Sequence, residues 1–200
     1  EESLEYLNKL TSQEGGKVGL QPDFAENFIR AYDNNTKESI WEIQYSIDDD
    51  SPTGGKINRS EGLNHPFNWG GFICCGFHHI SYTMGNAFKT GEDGLPLFDS
   101  YNEVSYQDDE NYLQNNQFDP RFSHTIAAPG LPWKYDPHLI FDESGVRNSD
   151  EYGYFKSVKE LVHPDCDCLL YDGWQFKSMN KRMIRYDEVL LWKAEVLIQL

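Results

Sequence analysis

The chain has 200 residues, enough for one domain or part of one, and carries 33 acidic against 17 basic residues, for a formal net charge of −16. A field of that sign makes nucleic acid and anionic membrane surfaces poor partners. Aromatic residues make up 14% of a chain whose mean hydropathy is a polar −0.67, which favours a loop-rich body with small cores built on rings.

The first elements in chain order are two predicted helices. Residues 1–11 place three leucines at helical spacing behind an acidic first turn, and they predict a helix. A Gly-rich break follows. Pro22 then opens a second predicted helix with a buried stripe of rings and aliphatic residues, which the Asp-Asn-Asn run at 33–35 ends.

The middle of the chain alternates short elements with long loops. From Ser39 the apolar period changes to two, which predicts a half-buried strand with Trp41 on its core face. Residues 48–58 are a predicted solvated loop. Residues 79–90 form a helix candidate, and residues 92–117 form an extended acidic loop.

The last third of the chain contains one short predicted strand, a long loop region and a terminal helix. Residues 122–127 are the strand, ended by Pro-Gly, and residues 133–178 are loop-like. Residues 183–200 have helical spacing, with apolar side chains around most of the circumference, Trp192 among them. Because no helix stop follows, we expect the sequence to be a piece of a larger protein that ends within a buried helix.

The four cysteines form one adjacent pair, Cys74 and Cys75, and one spaced pair, Cys166 and Cys168. Neither pair has the spacing of a zinc site. Buried or free thiols are the favoured interpretation, and a long-range disulfide between the pairs is the alternative in an oxidising compartment.

No arrangement with a catalytic or metal-binding mechanism stands out. The carboxylates form no isolated pair in an apolar setting, and a nucleophile-elbow motif is absent from the sequence, so we expect no enzyme activity and no cofactor. His65, His78 and His79 are read as ordinary hydrogen-bonded histidines rather than metal ligands. The acidic runs at 48–50 and 108–110 are read as solvated charge rather than calcium sites.

Aromatic loop tracts carry the stronger hypothesis. A flat ring covers the C–H face of a sugar, and amide or carboxylate groups beside it pair with the hydroxyls. Three tracts hold this mixture, each with a Trp beside Gly or Pro. They predict stacking residues Trp69, Phe72, Trp133, Tyr135, Tyr171 and Trp174, with polar contacts from Asn68, Asp136, Asp172 and Gln175. The alternative is that these rings plug the core of the loop region, as Trp41 and Trp192 are expected to do in their own elements.

Five stretches of the chain, in order, resemble one known family, the SusD/RagB outer-membrane nutrient-binding lipoproteins of Bacteroidetes. They are ESIWEIQYS (38–46), CCGF (74–77), NAFKTGEDGLPLF (86–98), DPRFSHTI with its continuation APGLPW (119–133), and the terminal RYDEVLLWKAEV region (182–198). Arg121 and Arg185 fall on family motif positions and are expected to anchor structure rather than ligand.

The resemblance implies a fold and a function. The fold is mainly α with long irregular loops and a few short strands. Residues 1–200 would be the loop-rich C-terminal region, without most of the tetratricopeptide-type scaffold or the final helix. The function is capture of an oligosaccharide at the cell surface for a SusC-like TonB-dependent transporter, with attachment to the outer membrane through an N-terminal lipid outside this chain. A peptide-binding member of the same uptake system and a glycoside hydrolase-associated domain are the alternatives.

Overall fold

The computed structural model describes residues 1–47, 56–171 and 175–200. Its α-helices are α1 (Glu2–Thr11), α2 (Tyr82–Asn86), α3 (Tyr112–Asn115), α4 (Arg121–Thr125), α5 (Ser149–Tyr152) and α6 (Tyr186–Gln199). Its strands are β1 (Ser39–Ile43), β2 (Lys89–Thr90), β3 (Gln117–Phe118), β4 (Ile126–Ala127), β5 (Pro132–Trp133), β6 (Asp136–Ile140), β7 (Lys156–Ser157), β8 (Leu169–Tyr171), β9 (Gln175–Lys177) and β10 (Lys181–Arg185). Short 3₁₀ segments lie at Phe24–Phe28, Arg30–Tyr32 and Glu143–Gly145.

The predicted fold class, mainly α, is wrong. Helix accounts for 28% of the described residues and strand for 19%, so this region is mixed, although it is rich in loops as expected. The strands pair antiparallel in two-stranded sheets, in the pairs β1–β10, β2–β3, β4–β7, β5–β6 and β8–β9. Most of the strands have only two or three residues, too few to show a periodicity of two, and they cannot be recognised from the sequence.

The chain divides into two compact units, and the first contains residues 1–58 and 178–200. Here α1 packs against α6, and β1 pairs with β10. The buried centre is Val18, Tyr186 and Val189, with leucines of α1 packed against it. The helix predicted over residues 1–11 is confirmed, whereas the one predicted after Pro22 is replaced by two 3₁₀ segments.

Strand β1 presents the opposite face from the predicted one. Trp41 is 57% exposed, while Ile40 packs on the core and the Glu42 side chain is buried. Register irregularities on both sides of Trp41 interrupt the alternation. Glu42 is tolerated inside because its carboxylate accepts hydrogen bonds from Ser39 Oγ (2.6 Å) and Asn180 Nδ2 (3.1 Å).

The terminal helix begins three residues later than predicted, because β10 occupies the preceding positions in its pairing with β1. Tyr186 and Val189 are its buried residues. Trp192 is 39% exposed, so its assignment to the core is wrong. The other exposed large apolar side chains of this segment are Leu191, Leu197, Ile198 and Leu200.

The second unit, residues 59–177, is organised around two aromatic clusters. One contains Trp69, Phe72, Trp133, Phe141 and neighbouring aliphatic residues, and the other contains Tyr112, Phe122, Ile126, Ala128 and Phe155. Rings thus build the cores of the loop region, as composition predicts.

Two predicted elements of this unit differ from the observed ones. The helix predicted over residues 79–90 forms only at Tyr82–Asn86. The strand predicted over residues 122–127 is α4 followed by the two-residue β4. The reason is local: Asp119 accepts a hydrogen bond from Arg121 N (2.9 Å) and pairs with the Arg121 guanidinium, and Pro120 precedes the first turn, which together start a helix.

The cysteines are disulfide-bonded within each pair, Cys74 to Cys75 and Cys166 to Cys168, and not between the pairs. The favoured expectation of buried or free thiols is therefore wrong. Of the helices in the described ranges, none has the length and apolar character needed to cross a bilayer.

Candidate functional site

Three of the predicted stacking rings lie in the core. Trp69 is 7% exposed, Phe72 is 3% exposed and Trp133 is fully buried. The centroid of Trp133 lies 5.6 Å from those of Trp69 and Phe72, a normal packing distance for rings. A sugar cannot reach the faces of these rings in this structure.

The polar atoms of the two tryptophans also have internal partners. Trp133 Nε1 donates to Val162 O (2.9 Å), and Trp69 Nε1 donates to Asp142 Oδ2 (2.9 Å). The glycines beside Trp69 serve a turn, because Gly70 and Gly71 both adopt positive φ. This tract therefore plugs the loop core, the alternative weighed from the sequence.

Gln175 is buried as well and has a structural contact. Its Oε1 accepts hydrogen bonds from the backbone N–H groups of Ile73 (2.9 Å) and Cys74 (3.1 Å). It therefore fixes the segment that enters the Cys74–Cys75 disulfide.

The remaining predicted residues are accessible or lie outside the described ranges. Tyr135 is 39% exposed and Tyr171 is 47% exposed. Asn68 is exposed, and Asp136 is half-buried. Asp172 and Trp174 lie outside the described residues, as do the acidic positions 48–50.

Tyr135 and Asp136 lie among histidines. The Tyr135 hydroxyl pairs with His124 Nδ1 at 2.8 Å, and Asp136 Oδ2 lies 3.2 Å from His163 Nε2. The hydrogen bond from His138 N, together with His163, lowers the pKa of Asp136. This carboxylate is therefore ionised at neutral pH, which suits it to accept hydrogen bonds from ligand hydroxyls.

A cleft of about 370 Å³ lies elsewhere in the second unit, at residues that the site prediction missed. Phe77, His79, Arg147, Asn148 and Tyr152 line it. Phe77 is 46% exposed and Tyr152 is 52% exposed, so both rings are available to a ligand. An open cleft of this volume with rings and a few polar groups has the features of a small-molecule or sugar subsite.

Ring contacts set the geometry of the cleft. The Arg147 guanidinium lies over Phe77 (5.1 Å to the ring centroid) and over Phe67 (5.6 Å). The rings of His79 and Tyr152 are 5.4 Å apart and inclined at 30°. The rings of Phe77 and Tyr152 and the guanidinium of Arg147 therefore line one cleft, and each of them contacts a neighbouring side chain.

Backbone contacts hold these side chains in place. Gly76 adopts φ +80°, and its N–H donates to His65 O (2.9 Å). The buried Lys156 ammonium donates to the carbonyls of Phe77 and His78, and His79 pairs with Lys156 through a β-bridge. The backbone of residues 77–79 is thus hydrogen-bonded to Lys156 of β7.

Burial shapes the electrostatics beneath the cleft. Burial lowers the pKa of Lys156 to about 7. Burial, with Lys156 and His78 nearby, also lowers the pKa of His79, and the buried His79 Nδ1 has no hydrogen-bond partner among the described residues. His65 is hydrogen-bonded to the backbone of Gly62, and His78 Nδ1 lies 3.4 Å from Asn64 Nδ2, as expected of ordinary hydrogen-bonded histidines.

The sequence contained part of this site, but no pattern joined it. The Cys-Cys-Gly-Phe run at 74–77 was recognised for its resemblance, while Arg147 and Tyr152 lie about seventy positions further on in a stretch without periodicity. Only the tertiary fold brings the two segments together.

Two possible metal-binding groups in the described ranges have structural contacts instead. Cys166, Asp167 and Cys168 bring three potential metal ligands together, but the disulfide removes both thiolates. Asp109 of the 108–110 run accepts hydrogen bonds from Asn111 N and Asn115 Nδ2 within its own turn.

The second unit is thus a loop-rich body with an open cleft lined by exposed rings and polar groups. The SusD family profile matches residues 37–200, more than four-fifths of the chain, and includes all five stretches that carry the resemblance. The chain therefore belongs to the SusD family. Comparison with curated proteins gave no match.

Membership has general consequences. Proteins of this family are nutrient-binding outer-membrane proteins of uptake systems, generally found at the cell surface as lipoproteins, and they work with SusC-like transporters. The family is a binding family and is generally non-enzymatic.

Proposed function

We propose that this protein captures an oligosaccharide at the cell surface of a Bacteroidetes bacterium and delivers it to a SusC-like TonB-dependent transporter. The protein is held to the outer membrane by an N-terminal lipid. No bond of the ligand is made or broken.

The observation that carries the proposal is the pair of exposed rings, Phe77 and Tyr152, on one cleft of a SusD family chain. An exposed ring covers the axial C–H groups of a pyranose and removes apolar area from water. Asn148 and Arg147 on the same cleft supply donors for the hydroxyl groups around the sugar. Tyr135 and Tyr171, with Asn68 and Asp136, are proposed as further contact residues for a longer glycan.

The test is calorimetry and affinity electrophoresis of the protein with a panel of soluble polysaccharides. Tyr152→Ala and Phe77→Ala are expected to weaken binding about 5-fold to 30-fold, the range expected when one stacking contact of about 1 to 2 kcal/mol is lost. Phe98→Ala is the matched control, because Phe98 is 80% exposed and is not part of the cleft lining. Binding that survives both cleft substitutions would refute this assignment.

Peptide capture by the same uptake system is the second candidate, favoured by the accessible Arg147 guanidinium, which fits a terminal carboxylate. A peptide mixture in the same assay separates the two, since only the peptide hypothesis predicts binding there. Release of reducing ends from a bound polysaccharide would instead support a hydrolase-associated function and contradict both.

A further inference from the structure

Arg147 has no acidic partner among the described residues, in contrast to Arg30, Arg121, Arg182 and Arg185, each of which pairs with a carboxylate. Its guanidinium contacts two rings and lies 3.5 Å from Cys75 O. Within the described ranges no carboxylate oxygen lies within 4.0 Å of it. An arginine that faces a cleft without an acidic partner is available to an anionic group of a ligand.

The ring contacts of Arg147 do not occupy its N–H groups. The guanidinium carbon lies over the faces of the Phe67 and Phe77 rings, where cation–π attraction is favourable. The N–H groups point outward in the plane of the guanidinium, and they match the two oxygens of a carboxylate. Because the rings fix the side chain before binding, less rotamer entropy is lost when a ligand arrives.

Crowding around Gly76 supports the same conclusion. A Cβ at this position would lie 2.7 Å from Arg147 Cβ and 2.9 Å from Phe67 Cβ. The Arg147 and Phe67 side chains thus pack directly against the Gly76 backbone. The Cys-Cys-Gly-Phe run therefore supplies the surface that holds the arginine as well as one of its two rings.

Two further features adjoin the cleft, a buried lysine side chain and a buried ring nitrogen without a partner among the described residues. The buried Lys156 ammonium lies against the carbonyls of Phe77 and His78. His79 lines the cleft, and its buried Nδ1 has no hydrogen-bond partner in the described part of the chain. Glu151 lies beside the cleft residue Tyr152 and raises the pKa of its hydroxyl, while Arg147 lowers it.

We infer that this cleft binds an acidic sugar, with the carboxylate of a uronic acid on Arg147 and the C–H face of that sugar on Tyr152 or Phe77. The inference rests on the proposed function, since it names the chemical class of the captured glycan. A uronic acid offers an apolar face and a planar anion on one ring, and the cleft presents a complement to each. A neutral sugar would leave the guanidinium desolvated without a charged partner.

The experiment compares two ligands that differ only in charge. A short oligogalacturonate is titrated into the protein by calorimetry, beside the same oligosaccharide after reduction of its carboxyl groups to hydroxymethyl groups. A short ligand is preferred because a long polyanion would be repelled by the net charge of −16. We expect the reduced ligand to bind about 10-fold to 100-fold more weakly, the range for a lost hydrogen-bonded charge pair.

Three variants assign the effect. Arg147→Gln is expected to abolish the preference for the acidic ligand, and Arg147→Lys to retain part of it. Glu151→Gln removes a negative charge that acts on the cleft residue Tyr152 and is expected to strengthen acidic binding a few-fold. It does so without touching the contacts of Arg147, so it tests the inference even if Arg147→Gln misfolds. Lys9→Gln on α1 is the control for Arg147→Gln. It removes the same single positive charge, but from an exposed lysine that pairs with Glu5.

The outcomes separate the inference from the function beneath it. Equal binding of both ligands, or no effect of Arg147→Gln and Glu151→Gln in folded protein, overturns the acidic-sugar inference and leaves glycan capture standing. Binding of dextran sulfate without binding of the uronate overturns the choice of carboxylate. Binding of peptides with a free C-terminal carboxylate, and of no glycan in the panel, overturns the inference and the proposed function together.

Discussion

His65 shows how a single buried side chain makes the stability of this fold depend on pH. The side chain is fully buried, and its ring lies 5.1 Å from that of Phe72. Burial, reinforced by the charges of Lys177 and Lys156 and opposed by a hydrogen bond to the backbone of Gly62 and by the charge of Glu61, lowers its pKa from 6.5 to about 4. The folded protein therefore keeps this imidazole neutral where the unfolded chain protonates it.

The direction of the pH effect follows from that difference. Between pH 6.5 and pH 4 the unfolded state binds more protons at His65, so the free energy of unfolding falls as the pH falls through this window. The loss from this residue is at most about 3 kcal/mol by pH 4. His65→Phe keeps a ring beside Phe72 but cannot protonate. We expect it to remove this part of the loss, measured by urea unfolding with tryptophan fluorescence from pH 7 to pH 4.

A control is needed because carboxylates titrate in the same window. His138→Gln removes an exposed histidine but leaves His65 in place, so it is expected to retain the part of the loss that His65 causes. If His65→Phe and the wild type lose stability in parallel, the side chain is not held neutral by the fold.

At the scale of an element, the short segment Cys74–Phe77 connects several parts of the second unit. Gln175 fixes its start, the Cys74–Cys75 disulfide lies within it, and Phe77 at its end lines the cleft. Gly76 combines positive φ with direct contact to Arg147 and Phe67. The glycine is required twice, once for backbone conformation and once for space.

The two requirements can be separated by substitution. Gly76→Ala is expected to cost about 1 kcal/mol for the left-handed backbone and a further 1 to 3 kcal/mol, roughly, for crowding against Arg147. Gly94→Ala has the same backbone cost, since φ is +77°, but a Cβ there has no neighbour within 4 Å. Thermal unfolding and glycan titration should show the larger destabilisation and the loss of binding in Gly76→Ala alone. Equal losses in the two variants would remove the crowding argument.

Elements that depend on local periodicity can be predicted from the sequence, and elements that depend on tertiary contacts cannot. The amino-terminal helix α1 was predicted within one residue, because three leucines at helical spacing depend only on local periodicity. Residues 122–127 were misassigned, because an apolar run preceded by Asp-Pro-Arg fits both a strand and a capped helix, and packing of Phe122 in the core decides. In β1, the irregular register that turns Trp41 outward depends on a partner strand about 140 positions away.

The site was harder to predict than the elements for a related reason. A Trp beside Gly in a loop is equally compatible with an exposed stacking platform and with a plug, and the sequence does not say which way the ring faces. Trp69 and Trp133 are buried, and their indole N–H groups donate to Asp142 Oδ2 and Val162 O. The cleft combines residues 77–79 with 147–152, and only the family resemblance pointed to the first of these segments.

At the scale of the whole molecule, the net charge of −16 opposes the local charge of the cleft. An acidic oligosaccharide is repelled at long range by the chain as a whole and attracted at contact by Arg147. Salt screens exposed charges over a Debye length of about 8 Å at physiological ionic strength, which affects the approach more than the final contact. Association and dissociation therefore respond differently to salt.

This balance gives a kinetic prediction that depends on the acidic-sugar inference. Raising sodium chloride from low to physiological concentration should increase the association rate constant of an oligogalacturonate a few-fold, because repulsion during approach is screened. The carboxyl-reduced oligosaccharide should show no such change, since it carries no charge for the field to act on. Stopped-flow measurement of tryptophan fluorescence follows both ligands on one instrument. An association rate that falls with salt would show that the positive groups of the cleft dominate the field at a distance, and that the charge of the rest of the chain has no part in selecting the ligand.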